Sequence, residues 1–158
     1  MDRVFWLEKG KVAGRSGPNK DAWDLNKIKA MGIDAILSVN YGEDVNIDAI
    51  KALGMDYACV PLSEFIPPRE GDVEKCLAGL PQALAYIRRA HAANKTVLIH
   101  CRSGKDRTGL TMAYYLQQCY SLTVADAMEQ VKAVRDIAFS SQGWTAHVRT
   151  VLEKCEFK

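Results

Sequence analysis

The sequence has no apolar run approaching the roughly 18 residues that cross a bilayer, so stable membrane insertion is not expected. It carries little net charge, +2 over 158 residues, which is too mild to argue for a nucleic-acid partner. Its five cysteines (59, 76, 101, 119 and 155) are odd in number and lack paired spacing. That excludes a disulfide framework and points to a reducing compartment. No second cysteine or histidine pair stands at zinc-ligand spacing, so no metal and no other cofactor is expected. The start, Met1-Asp2-Arg3-Val4-Phe5-Trp6, lacks the apolar stretch of a secretory signal, and a cytoplasmic protein is the expectation. There are no repeats, no low-complexity segments and no linker. With 48% hydrophobic residues, the chain reads as one domain over 1–158 with enough apolar content to bury a core, and as a monomer.

What is present is an alternation of short apolar strands and helical stripes. Residues 4–7 and 11–14 flank Glu8-Lys9-Gly10 as a hairpin, and residues 21–31 carry Leu25, Ile28 and Met31 at helical spacing before Gly32. Residues 33–39 form a strand, 47–53 a short helix closed by Gly54, and 55–62 another strand. A long stripe, Val73, Cys76, Leu77, Leu80, Leu84 and Ile87, predicts a helix that Pro81 should kink or interrupt. Residues 97–100 form a strand, and 108–120, 123–135 and 141–153 are three more helices. Strands alternating with helices predict an α/β fold, a mostly parallel sheet of four to five strands flanked by helices.

The chemistry concentrates in His100-Cys101-Arg102-Ser103-Gly104-Lys105-Asp106-Arg107-Thr108-Gly109. An apolar strand feeds a loop that opens a helix. This arrangement gathers backbone N–H groups and the positive helix end around one point, which suits an anion such as phosphate. A cysteine there is favoured as thiolate. Arg107 offers a planar fork of donors that matches two phosphate oxygens. A nucleotide-binding P-loop does not fit. Five residues before Gly104 stands Ile99 rather than Gly, and after Lys105 stands Asp106 rather than Ser or Thr.

The stretch resembles the HCxxGxxRTG signature of the cysteine-dependent protein tyrosine and dual-specificity phosphatases, in a small single-domain form. The resemblance implies Cys101 as nucleophile, Arg107 as clamp for transition-state charge, and Thr108 as donor to the sulfur when it leaves. It implies a phosphate cradle from Arg102, Ser103, Gly104, Lys105, Asp106 and Arg107, with His100 behind the loop fixing its backbone. The family usually supplies its acid from a loop after the preceding strand, often as Pro-Asp-Phe. The matching triplet here is Ser63-Glu64-Phe65, so Glu64 is the candidate acid, with Asp72 second and Glu70 third. Asp106 is expected to order the loop or meet substrate. Gln142 is a candidate for positioning the hydrolytic water. Cys59 is expected as a buried structural thiol, with a reversible disulfide to Cys101 as the alternative. The three tryptophans are read as packing.

The implied activity is hydrolysis of phosphomonoesters on protein Tyr, Ser or Thr. The added charges of Arg102 and Lys105 resemble the loops of phosphoinositide and inositol-polyphosphate phosphatases, so a phosphorylated inositol is the alternative substrate. Two other classes compete. Rhodanese-type sulfurtransferase loops also begin Cys-Arg and end in Arg, but are one residue shorter. A non-catalytic phosphate-binding module would fit if the acid were absent.

Overall fold

The computed structural model describes residues 3–156. Five strands form one sheet in the order β1-β2-β5-β3-β4. The opening hairpin, β1 (Phe5–Glu8) and β2 (Val12–Arg15), is antiparallel. β2, β3 (Ala35–Ser38), β4 (Asp56–Cys59) and β5 (Val97–His100) run parallel. β5 lies at the centre, paired with β2 and β3, and all four of its residues are buried. Ligands in such sheets collect beyond the carboxyl ends of the strands, and Cys101 follows the last residue of β5.

Side chains alternate across the sheet with a period of two. On one face Val97 and Ile99 join Val12, Ala35 and Leu37 against α3 (Asp72–Ala92), α4 (Arg107–Tyr120), α5 (Val124–Val134) and α6 (Trp144–Lys154). On the other, Leu98 joins Ala13 and Ile36 against α1 (Leu25–Ala30) and α2 (Ile47–Ala52). His100 shares the parity of Leu98 and therefore faces the α1 side. The expected mostly parallel sheet with helices on both faces is the one observed.

Several boundaries move for local reasons. α1 starts at Leu25, not 21, because the Asp24 carboxylate accepts from Lys27 N at 3.2 Å and caps the helix there. Asp21 instead accepts a 2.6 Å hydrogen bond from Ser16 Oγ in the preceding loop. α6 starts at Trp144 rather than 141, so Gln142 lies ahead of the helix. α5 begins as expected, with Thr123 Oγ1 accepting from Asp126 N at 3.1 Å.

Pro81 does not interrupt α3, which runs unbroken for 21 residues. Its ring is exposed, while Cys76, Leu80, Ala83, Leu84, Ile87 and Ala90 bury the opposite stripe. Burial of that stripe outweighs the hydrogen bond and the ring clash that proline costs in a helix interior. Pro81→Ala should therefore restore an N–H donor to the Leu77 carbonyl and raise stability by about 1–3 kcal/mol. Urea denaturation with an unchanged m-value checks this; a destabilised variant contradicts it.

Candidate active site

The loop that follows β5 is held by its carbonyls. The Cys101 carbonyl accepts from His100 Nδ1 at 2.8 Å, and the Arg102 carbonyl from Gly17 N at 2.8 Å. Arg135 reaches in from the end of α5, its Nη2 donating to Ser103 O at 2.6 Å and its Nε to Gly104 O at 3.2 Å. Lys105 O accepts from Gly109 N and Phe139 N, and Asp106 O from Leu110 N. Every carbonyl from 101 to 106 thus has a donor in the scaffold. By contrast, among the described residues, no N–H of residues 102–107 donates to a protein acceptor. A loop whose acceptors are all tied back and whose donors are free can receive an anion.

Two glycines permit this geometry. Gly104 has φ +66°, and a Cβ there would lie 2.7 Å from the Arg15 carbonyl carbon and oxygen. A Cβ on Gly17 would lie 2.4 Å from the Cys101 carbonyl oxygen. Both close approaches exclude a side chain.

Cys101 is buried, and Thr108 Oγ1 donates to its Sγ at 3.1 Å. Thr108 stands in the first turn of α4, so the contact is a product of the loop-to-helix turn. Behind the loop, burial pushes His100 down to about 4 and keeps it neutral. Its partners then fix the tautomer. Nδ1 faces a carbonyl and must carry the proton, so Nε2 accepts from Ser38 Oγ at 2.5 Å, and Ser38 accepts from Tyr57 OH at 2.7 Å. Trp23 packs edge-on against the imidazole, with ring centroids 4.8 Å apart. His100 therefore clamps the backbone of the loop from behind and does not line the cavity.

Above the loop is a cavity of about 520 Å³ lined by Cys101, Arg102, Ser103, Lys105, Asp106 and Arg107 together with Lys20, Tyr41, Glu64, Ile66 and Ser141. The Arg107 guanidinium is flanked by the rings of Tyr41 and Trp144, 5.8 and 5.6 Å from their centroids. Its Nη1 donates to the Glu64 carbonyl at 3.4 Å, while Nε is buried and has no partner. A desolvated guanidinium with an idle donor is costly unless an anion arrives. Asp106 is buried and accepts from Ser141 N at 3.4 Å, so it orders the loop.

Of the three candidate acids, only Glu64 lines the cavity. Asp72 is buried, its Oδ2 accepting from Arg69 N at 2.6 Å at the entry to α3. Glu70 is exposed elsewhere on the loop. Gln142 is also exposed, and its neighbour Ser141 takes the place at the cavity wall. Cys59 is exposed at the end of the edge strand β4, not buried as expected, and all five thiols are free. Trp144 is more than packing, since its Nε1 donates to Phe65 O at 3.1 Å and its ring faces Arg107. Sequence reasoning missed Arg135, Lys20 and Tyr41, which arrive from distant segments with no local pattern to betray them.

The buried His100 makes one testable contribution to stability. Its folded value lies below the ordinary 6.5, so its stabilisation is complete above pH 6.5 and is lost as pH falls toward about 4. That gap is worth about 3 kcal/mol. Between pH 6.5 and 4, wild type should lose its stability advantage over His100→Gln by about that amount. Parallel urea titrations of the two proteins read this, and a constant difference across the window refutes it.

The family model for the dual specificity phosphatase catalytic domain matches residues 17–154. Phosphatidylglycerophosphate phosphatase PTPMT2 of Arabidopsis thaliana is 24% identical over 114 residues, covering 71% of this chain and 47% of that protein. Human dual specificity protein phosphatase 6 is 29% identical over 122 residues, covering 73% of this chain and 28% of that protein. The chain spans less than half the length of these relatives. The fold is shared with Tk-PTP in its active form, at TM-score 0.76 and 21% identity over 96% of this chain and 97% of that one. It is also shared with PTPMT1 in complex with PI(5)P, at TM-score 0.74 and 14% identity over 97% and 96% of the two chains. The chain belongs to the dual specificity phosphatase catalytic domain family.

Proposed function

We propose that the chain hydrolyses phosphomonoesters through a cysteinyl-phosphate intermediate, with phosphorylated Tyr, Ser and Thr side chains of proteins as its first substrate class. The observation that carries this reading is the Thr108 Oγ1 to Cys101 Sγ contact of 3.1 Å at the foot of a cavity closed by Arg107. Cys101 thiolate attacks phosphorus, a P–S bond forms and the P–O bond to the leaving group breaks. Glu64 gives its proton to the departing oxygen. Arg107 and the free amides of the loop take the charge that grows on the three remaining oxygens. In the second step Glu64, now a carboxylate, accepts a proton from the water that attacks phosphorus. The P–S bond breaks, Thr108 donates to the departing sulfur, and inorganic phosphate leaves. The five free thiols support a reducing compartment such as the cytoplasm. The seven-residue span from Cys101 to Arg107 and the cavity carboxylate at Glu64 favour this chemistry over sulfur transfer or passive binding.

Cys101→Ser should lose turnover on the order of 10⁴-fold or more while still binding substrate. Glu64→Gln should lower kcat/KM for esters of poor leaving groups by about 10²-fold and spare kcat/KM for those of acidic phenols. Steady-state kinetics over a series of aryl phosphates reads both. Retained turnover in Cys101→Ser removes the nucleophile, and a flat response to Glu64→Gln removes the acid.

A second substrate class has its own support. Lys20, Arg102 and Lys105 line the cavity beyond Arg107, and none has an ion-pair partner among the described residues. A single phosphate monoester in the cradle leaves these cations unused. A phosphorylated inositol or phospholipid headgroup with a second phosphate would engage them. The relatives named as phosphatidylglycerophosphate phosphatases lend weight to this alternative. Replacing Lys20 and Lys105 together by Ala should raise KM for a bisphosphorylated ester by about tenfold or more and leave KM for a simple aryl phosphate within about threefold. Equal effects on both esters would remove the second subsite.

A further inference from the structure

The loop that carries Glu64 is fastened from below by a buried polar cluster that none of the steps above employs. Ser63, the residue before Glu64, is fully buried. Its Oγ lies 3.2 Å from Cys76 Sγ on α3 and 3.3 Å from His147 Nε2 on α6. Cys76 Sγ and His147 Nε2 are themselves 3.6 Å apart, which closes a triangle. Cys76 is inaccessible and His147 nearly so, at 6% exposure. Three polar groups buried together cost desolvation that an apolar trio would not, so the cluster is not explained by core stability. Burial holds the Cys76 thiol up and the His147 imidazole down, so both stay neutral and serve as hydrogen-bonding groups. Neither touches the cavity.

The next residues are held from the same side. Trp144, three residues before His147 and on the same face of α6, donates to the Phe65 carbonyl at 3.1 Å. A Cβ on Gly143 would stand 3.0 Å from Pro68 Cδ and 3.3 Å from Pro67 Cβ, so the start of α6 is pressed against that part of the loop. Arg107 donates to the Glu64 carbonyl itself. The Glu64 carboxylate has no partner of its own among the described residues, so its place over the cavity is set by how its backbone is held. A glutamate side chain is long, and its reach depends on where that backbone sits. A displacement of about 1 Å in a positioned group costs on the order of 10²-fold in rate.

We propose that Ser63, His147 and Cys76 form a buried latch that fixes the loop and thereby positions the Glu64 carboxyl over the cavity, an assignment that rests on Glu64 being the proton donor. Ser63 and His147 are positioning residues: they act through Glu64 and meet no reacting atom. The latch joins α3 and α6 to the residue beside the acid, so disturbance of either helix is felt first in acid catalysis.

The test compares phenyl phosphate, whose leaving group has a pKa of about 10, with the nitrophenyl ester, which needs little protonation. Ser63→Ala and His147→Leu should each lower kcat/KM on phenyl phosphate by about tenfold or more and change kcat/KM on the nitrophenyl ester by less than about threefold. His147→Gln, which keeps an amide near the Nε2 position, should recover most of the loss. Combining Ser63→Ala with Glu64→Gln should be no worse than Glu64→Gln alone, because both act through one group. Cys76→Ala, a smaller change, should show the same selectivity at lower amplitude and serves where the larger changes prevent folding. If Glu64→Gln discriminates between the esters but the latch variants slow both equally, or neither, the latch is overturned and the acid stands. If Glu64→Gln itself does not discriminate, the acid assignment falls and the latch with it.

Discussion

The fold depends on a single constraint: the carbonyls of residues 101–106 must face away from the cavity. Peptide dipoles cannot all point their N–H groups inward by preference, since each carbonyl then needs a donor behind it. The chain supplies those donors from five places. They are the imidazole of the preceding residue, the β2–α1 loop at Gly17, the end of α5 at Arg135, the loop at Phe139, and the first turn of α4. Each bond contributes on the order of 1 kcal/mol, and together they hold six peptides with their carbonyls turned back into the scaffold. The central, wholly buried β5 matters because it fixes the start of that loop against a sheet that cannot yield.

His100 illustrates how far the constraint reaches. A neutral imidazole has one N–H to give, and the structure gives it to the Cys101 carbonyl. The choice propagates outward through Ser38 on β3 to Tyr57 on β4, across two strands of the sheet. A protonated His100 would need acceptors on both sides, which Ser38 could meet only by turning its own O–H away from Nε2. Neutrality, burial and loop geometry are therefore one condition rather than three.

Much of this was legible in the sequence where the signal was local. The apolar 97–100 run, the glycine at 104 and the Thr108-Gly109 helix start are adjacent in the chain, and each carries its own physical reason. Parallel topology followed from strand–helix alternation. The features that were not legible are those that meet only in space. Arg135 holds two loop carbonyls from a position 31 residues downstream of Gly104, where it looks like any charged residue at a helix end. Pro81 misled because a local rule against proline in helices was outweighed by the buried stripe on the opposite face. Asp72 ranks second to Glu64 in the sequence, and the turn that buries its carboxylate keeps it off the cavity wall. Cys59 read as core because an apolar strand was assumed to be interior, whereas β4 is the sheet edge.

The two loops of the site, residues 101–107 and the one that carries Glu64, the proposed acid, share a support. Ser141 ties to Asp106 in the anion loop, while Trp144 and His147, just beyond it, tie to Phe65 and Ser63 in the acid loop. Arg107 closes the circuit by donating to the Glu64 carbonyl from the anion side. Its planar fork has five donors, and only one is spent on that carbonyl. A phosphate in the cradle could take two of the remaining four without releasing the loop, so occupation of the cradle and placement of the proposed acid would reinforce each other. A lysine at 107 could satisfy the phosphate or the Glu64 carbonyl only as a point charge, and would lose its flat seat between Tyr41 and Trp144. The guanidinium at this position thus serves geometry as much as charge.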